Sequence, residues 1–207
     1  MFLFLISKGQ DSIRRFEFGS TLVTINSFNN QTYNEADRPQ FEFINGLFFR
    51  YNKKRFGLRA HASYSDNYSN WASPPQAADG ASGDANNKDI RIGVGGQFSL
   101  LKRKKWFYTF ADLSYRNLFS TGHYYGGIGG ANDKFSRSGN GLDAFFGLGF
   151  KIKTFKNVFL SPEIGFLLAN KSINTSSTSM ISGQIVKYNY SQTDFNSVIK
   201  LHLTVKF

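Results

Sequence analysis

The sequence of 207 residues contains no cysteine, so neither a disulfide framework nor a thiolate metal site can form. It has only four prolines, and no apolar run approaches the ~20 residues that a transmembrane helix needs. Acidic residues are also scarce, since 14 Asp and Glu stand against 25 Lys and Arg, for a net charge of +11. A basic chain suits nucleic acid or an anionic membrane surface, and the position of the charges must decide between them.

Aromatic residues and glycine are abundant instead. Phe, Trp and Tyr make up 17% of the chain, with 23 Phe, and 20 residues are Gly. This composition, with few strong helix formers, favours β structure. The mean hydropathy of −0.33 does not argue against a membrane barrel, because lipid-facing and lumen-facing residues alternate and their hydropathies average out.

Polar and apolar residues alternate with a period of two along eight segments, each about 10–13 residues long. That length suits a tilted, membrane-spanning strand. The segments are 15–26, 40–51, 56–66, 89–100, 106–117, 141–152, 158–169 and 195–207. They predict an all-β chain that forms an eight-stranded antiparallel up-and-down transmembrane β-barrel.

The connections alternate between short and long. The short ones are 52–55, 101–105 and 153–157, and the long ones are 27–39, 67–88, 118–140 and 170–194. Membrane barrels have short periplasmic turns and long external loops, so both termini are predicted to be periplasmic. The long segments are rich in Asn, Ser and Gly and predict exposed loops, on which Tyr68, Trp71, Tyr124 and Tyr125 are candidate contact residues.

One face of the eight segments carries almost no charge, whereas the other carries five acids and five bases. These ten are Glu17, Glu42, Arg50, Arg59, Arg91, Asp112, Arg116, Asp143, Glu163 and Lys200. Eight strands leave an interior only just wide enough for side chains, and buried charges must be paired. We therefore expect a lumen ion-pair network that plugs the barrel, with the apolar face turned to lipid. A soluble lipid-binding barrel, with the opposite arrangement, is the alternative.

Two segments break the alternation. Segment one places Ser20 and Thr24 on the face that also carries Leu22, and segment seven places Pro162 on the apolar face. Proline cannot donate to a β ladder, so we expect a bulge or a strand end near Pro162.

The positive charge clusters at the predicted short turns, in the runs 53–55 and 102–105 and at Lys153 and Lys156. Each cation near anionic headgroups can gain ~1 kcal/mol, so membrane lipid and lipopolysaccharide are the expected partners. A nucleic-acid site would need a basic groove with stacking aromatics, and no such module is visible, so nucleic acid is not an expected partner.

The C-terminal strand alternates apolar residues through Leu203 and Val205 and ends on Phe207. It resembles the signal by which the barrel-assembly machinery recognises outer-membrane barrels. The segments 45–51 and 56–60 resemble strands two and three of the small outer-membrane β-barrel domain family, which is OmpA/OmpX-like and of Bacteroidota type. The resemblance implies a Gram-negative outer-membrane location. The apolar start and the small residues Ser7 and Gly9 predict a signal-peptide remnant over 1–9, which leaves 10–207 as the barrel domain.

His61 and Ser63 carry the only pattern that suggests catalysis. Outer-membrane lipid A deacylases are eight-stranded barrels with a His-x-Ser pair, and a Ser–His pair also needs an orienting carboxylate. The alternation places both residues in the lumen, away from lipid substrate, so a lipid hydrolase is only the alternative function. We expect a monomeric structural or surface-binding protein, with adhesion through its loops and no enzymatic activity, cofactor or metal site. The external ligand is not predicted.

Overall fold

The computed structural model describes residues 15–27, 40–72, 80–101, 106–126 and 130–207. Nearly all of these residues form β structure. Among them there is no helix that is long and apolar enough to cross a membrane. The strands are β1 (Phe16–Ser27), β2 (Gln40–Lys53), β3 (Phe56–Ala72), β4 (Ser82–Ser99), β5 (Phe107–Gly126), β6 (Ala131–Phe150), β7 (Ile152–Lys153), β8 (Val158–Ser179) and β9 (Ile185–Lys206).

The eight long strands close into a ring. Each pairs antiparallel with its neighbours in sequence, β1 also pairs with β9, and β6 pairs with β8. The two-residue strand β7 continues the line of β6 beyond Lys151 and pairs with β8. In a closed ring every strand is paired on both sides, so the backbone N–H and C=O groups are hydrogen-bonded within the sheet. A segment in the hydrocarbon needs this because no water is there to pair with free backbone groups. The predicted eight-stranded antiparallel up-and-down barrel is confirmed.

The two faces of the sheet point as the alternation predicts. Leu58, Ile92 and Leu113 are 67%, 62% and 55% exposed on the outer surface. Arg59 and Asp112, which lie next to Leu58 and Leu113 in the chain, are 3% and 5% exposed and face the lumen. Because side chains alternate with a period of two, a slip of one residue would reverse both faces. A soluble lipid-binding barrel, which needs an apolar interior, does not fit this arrangement.

The outer apolar surface has a sharp upper boundary. On five strands the run of outward, predominantly apolar residues from the turn end stops, and the next outward residue, two positions further, is exposed and polar. The pairs are Tyr64 and Asp66, Ile90 and Lys88, Tyr115 and Asn117, Leu142 and Asn140, and Leu168 and Asn170. Single residues such as Tyr68 and Phe119 still face outward beyond this level. About nine residues separate this boundary from the turn end on each strand, for example Phe98 to Ile90, which is the length of a tilted spanning strand.

The prediction of long loops at 67–88, 118–140 and 170–194 is wrong. There β3 runs on to Ala72, β5 to Gly126 and β8 to Ser179, and the partner strands return from Ser82, Ala131 and Ile185. An antiparallel ladder pairs backbone groups whatever the side chains are, so strands continue after the apolar alternation has stopped. Residues 28–39, most of the fourth predicted loop, lie outside the described residues.

Both breaks in the alternation have structural counterparts. In β1 the register shifts between Thr21 and Val23, which turns Thr24 inward to 3% exposure instead of onto the predicted apolar face. Ile44 on β2 lies at the same irregularity, with a φ of 48°. At Pro162 the pairing of β8 with β9 is regular, so there is no bulge. A strand end does lie close by, because β6 ends at Phe150, one residue beyond the Gly149–Glu163 pair.

Candidate functional site

The lumen is filled by a charged cluster centred on Glu163 of β8. Arg59 donates two hydrogen bonds to its carboxylate at 2.9 and 2.8 Å, and the Tyr108 hydroxyl donates a third at 2.7 Å. His202 Nε2 lies 3.1 Å from Glu163 Oε2, and Arg50 Nη2 lies 3.4 Å from Oε1. These side chains come from strands β2, β3, β5, β8 and β9, so the cluster links separate parts of the ring across its interior.

Two further carboxylates extend the cluster. Glu17 of β1 accepts from Arg50 at 3.0 Å, from Lys151 at 2.6 Å and from the Asn52 amide at 2.9 Å. Asp112 of β5 lies 2.9 Å from Arg59 Nη2. Glu17, Arg50, Arg59, Asp112 and Glu163 are all buried. Charges taken out of water in this way are stable only when they are paired and hydrogen-bonded.

Aromatic rings pack around the cations of the lumen. The Arg50 guanidinium lies 4.9 Å from the ring centroids of both Phe48 and Tyr108, and that of Arg59 lies 4.4 Å from Phe110. Lys200 Nζ lies 4.4 Å from the Phe145 ring. A cation over a ring face within about 6 Å is attracted by the ring quadrupole. These contacts hold the long basic side chains across the lumen.

Inward glycines provide the room that this packing needs. A Cβ on Gly95 would lie 2.0 Å from Asp112 Oδ1, and a Cβ on Gly149 would lie 2.4 Å from the Tyr108 ring. On Gly93 it would lie 2.5 Å from the His61 ring. The glycines on the lumen face therefore determine where the large side chains can lie.

A second charged group lies nearer the far end of the barrel. Asp89 accepts from Arg91 at 2.6 Å and from Arg116 at 2.7 Å, and Asp143 lies 3.8 Å from Arg91 Nε. Above it, Lys171 pairs with Asp194 at 2.5 Å. Sequence reasoning did not include Asp89, Lys151, Tyr108, Lys171 and Asp194 in the network. Lys151 lies on the predicted lumen face, so alternation alone could have found it, whereas Lys171 and Asp194 fell in segments predicted as loops.

The two remaining predicted network residues, Glu42 and Lys200, line a small polar cavity of about 20 Å³ between the two charged groups. Glu42 is also hydrogen-bonded by the Asn45 amide. A single water-sized sphere occupies about 10–15 Å³, so a cavity of this size has room for about one water molecule. All ten predicted network residues therefore face the interior.

The candidate catalytic pair is also enclosed in the lumen. Among the described residues, the hydrogen bond of His61 Nε2 joins it to Ser114 Oγ at 2.9 Å rather than to Ser63. Ser63 lines the small cavity together with His61 and Asp112. Both side chains lie on the inner side of a closed sheet, where an acyl chain in the bilayer does not reach them.

The predicted contact residues lie on strands beyond the apolar surface rather than on loops. Tyr68 on β3 is 66% exposed, Tyr125 on β5 is 42% exposed, and Tyr124 is half-buried. The side chain of Trp71 lies outside the described residues. Tyr188 and Tyr190 on β9, which sequence reasoning missed, are exposed with ring centroids 6.1 Å apart. The predicted assembly residues Leu203 and Val205 lie on the outer surface of β9, and Phe207, directly after the end of β9, is also exposed.

Aromatic and basic side chains gather at the turn end. The rings of Phe16 and Tyr51 are 5.0 Å apart, as are those of Phe56 and Phe98. Arg55 donates to the carbonyl oxygens of Ser99 and Leu100 at 3.1 and 3.0 Å, which joins two turns. Aromatic rings favour the headgroup level of a bilayer. Residues 102–105, the longest basic run, lie outside the described part of the chain.

A closed ring of eight strands, an outer apolar surface of bilayer height and a charged interior define a transmembrane β-barrel of the outer-membrane type. No protein-family model matches the chain, and no curated protein matches it in sequence. Among solved structures it is similar to Ail, the attachment invasion locus protein of Yersinia pestis, with a TM-score of 0.46 and 13% identity over 93% of this chain and 97% of Ail.

Two further solved structures are similar. Acinetobacter baumannii CarO has a TM-score of 0.45 and 12% identity, covering 90% of this chain and 98% of CarO. The translocator domain of the autotransporter NalP from Neisseria meningitidis has a TM-score of 0.44 and 11% identity, covering 98% and 91% of the two chains. The relationship to Bacteroidota-type barrels stays a prediction.

Proposed function

We propose that this protein is a monomeric outer-membrane barrel that carries a recognition surface on its projecting hairpins and conducts no solutes. The observation that carries the proposal is the continuation of paired strands beyond the apolar boundary. From Tyr115, β5 runs a further 11 residues to Gly126. At ~3.3 Å per residue and a tilt of ~40°, this hairpin reaches roughly 28 Å beyond the hydrocarbon.

The hairpin surface has the composition of a recognition surface. Exposed Tyr68, Tyr125, Tyr188 and Tyr190 stand among Ser, Asn and Gly residues. Tyrosine supplies large contact area at low conformational entropy cost, and Ser, Gly and Asn supply adaptable hydrogen bonding. Backbone pairing within each hairpin holds these side chains in place before any ligand arrives, which reduces the entropy cost of binding.

The ion-pair network supports a closed lumen. Its central charges, Glu17 with Arg50 and Arg59 with Glu163, are paired across the interior, and the cavity beside them is about 20 Å³. In this proposal the turn end is periplasmic, the barrel-assembly machinery reads Leu203, Val205 and Phe207, and phospholipid and lipopolysaccharide surround the barrel. The protein is not an enzyme in this proposal, because His61 and Ser63 are enclosed with the charged cluster.

Two measurements test the proposal. Purified barrel in planar bilayers should give no steady single-channel current, and a stable open state would contradict the closed lumen. Barrels in nanodiscs should bind a member of an array of immobilised glycans and matrix proteins. That binding should fall in a Tyr188→Ser, Tyr190→Ser variant and persist in a Phe195→Leu control on the lipid-facing surface of the same strand. If the Tyr188→Ser, Tyr190→Ser variant bound as strongly as the Phe195→Leu control, this hairpin would not be part of the recognition surface.

A further inference from the structure

The outer surface near the turn end contains an apolar groove of about 600 Å³ between β2, β3, β4 and β5. Its floor is a row of paired residues, since Leu58 lies opposite Gly96 and Gly96 lies opposite Ala111. A Cβ on Gly96 would meet nothing closer than the Gly57 oxygen at 3.9 Å, so the groove is open above this glycine. Clefts of about 300–1,000 Å³ are large enough for small ligands.

The groove runs from the headgroup level into the hydrocarbon level. At its turn-end rim lie Tyr51, Lys53 and Phe56, and Lys53 is paired with Phe56 in the β2–β3 ladder. Leu58 lies two residues further along β3, deeper in the apolar surface. Aromatic rings and cations mark the interface, and apolar residues mark the bilayer core. An occupant would therefore be polar at one end and apolar at the other.

The rim of the groove is positively charged. Lys53 is exposed, and within the described part of the chain no carboxylate lies within ion-pair distance of its ammonium group. The Arg55 guanidinium lies 4.4 Å from the Phe98 ring, and Phe98 also lines the groove. The groove thus combines an apolar channel with one available cation, Lys53, at the level of lipid phosphates, because the Arg55 guanidinium is already hydrogen-bonded to the carbonyl oxygens of Ser99 and Leu100.

We propose that this groove is a binding site for one anionic phospholipid, with an acyl chain along Gly96 and Ala111 and the phosphate at Lys53. The choice of phospholipid rests on the proposed orientation, which turns this end towards the phospholipid leaflet. A cation near anionic headgroups contributes ~1 kcal/mol, which corresponds to about fivefold in affinity. Gly96 keeps the channel open because any larger side chain there would enter it.

Native mass spectrometry of the folded barrel tests this site, with phosphatidylglycerol and phosphatidylcholine of identical acyl chains as probes. Wild type should retain phosphatidylglycerol about fivefold more than phosphatidylcholine. Lys53→Gln should abolish that preference, and Gly96→Leu should lower retention of both lipids. Ala111→Leu fills the same groove from β5 and serves if Gly96→Leu does not fold, as judged by heat-dependent migration in gels.

The matched controls add the same changes elsewhere. Lys153→Gln removes an exposed cation from β7 at the same end of the barrel, and Ala144→Leu adds bulk to the outer surface of β6. Both variants should retain lipid as wild type does. Unchanged phosphatidylglycerol retention in both groove-filling variants would overturn the site. Groove-dependent retention of lipid A in preference to phosphatidylglycerol would overturn the choice of phospholipid. Neither result depends on lumen conductance or hairpin binding, so failure of the proposed function is seen separately.

Discussion

Arg59 and Glu163 face each other across the lumen and form a two-pronged ion pair. Arg59 Nη1 and Nη2 donate to Glu163 Oε1 and Oε2 at 2.9 and 2.8 Å, although the residues lie on β3 and β8, which are not neighbours in the sheet. A guanidinium matches a carboxylate in this bidentate geometry, which adds directional specificity to the charge attraction. The pair therefore links opposite walls of the barrel.

Glu163→Gln should destabilise the barrel strongly. The amide would leave Arg59 and Arg50 without their shared charge partner in a buried setting, and breaking a buried pair costs ~3–5 kcal/mol. Urea unfolding from lipid vesicles measures the loss. Asp66→Asn is the control, because the Lys88–Asp66 pair is 3.8 Å long and exposed, with an expected cost below ~1 kcal/mol. Equal costs for the two variants would contradict a central role for Glu163.

Gly149→Ala should destabilise the barrel, although alanine within a strand is usually less destabilising than glycine. The new methyl group would lie 2.4 Å from the Tyr108 ring, and overpacking of this kind costs ~1–3 kcal/mol. Gly96→Ala adds the same methyl group to open space on the outer surface and should be neutral. Thermal unfolding of both variants in one detergent makes the comparison, and a stable Gly149→Ala barrel would show that Tyr108 moves freely.

Val94→Arg should impair insertion because Val94 lies midway along the outer apolar surface of β4 and is 65% exposed. An arginine at the bilayer midplane costs ~2–4 kcal/mol, and near the interface the cost falls to ~0–1 kcal/mol. Asn86→Arg, on the same strand beyond the apolar boundary, should therefore be tolerated. Folding yields in vesicles provide the measurement, and similar yields for the two variants would argue against a lipid-facing Val94.

Because the chain has no cysteine, single substitutions can report its orientation without background. Asn174→Cys, exposed on the projecting part of β8, should react with a membrane-impermeant maleimide on intact cells. Lys153→Cys, exposed at the turn end, should react only after the outer membrane is permeabilised. The reverse pattern would show that the turn end faces outward.

The spanning part of the fold was predictable from local sequence because its side chains alternate between lipid and lumen. Leu58 and Arg59 are neighbours in the chain and lie on opposite faces, as the period of two requires. The hairpin extensions were not predictable, because beyond Tyr115 and Leu168 no lipid selects apolar side chains, so the alternation stops while backbone pairing continues. Thr24 was placed on the wrong face because one register shift in β1 inverts every later residue of that strand.

The candidate sites follow the same division. The set of inward charges could be read from sequence, whereas their partners could not, since Arg59 and Glu163 are 104 positions apart. The sequence pattern places Gly96 only on an apolar face, because the shape of the groove depends on residues from four strands.

The sequence by itself determined the strand period, the strand count, the face that meets lipid and the set of charges that face inward. These follow from local alternation, which each strand carries independently of the others. The tertiary structure alone decided which charges pair, how far the hairpins project and where the outer surface is hollow. Closing the ring sets the register and stagger of all eight strands together, and only that shared geometry determines which side chains come within reach of one another.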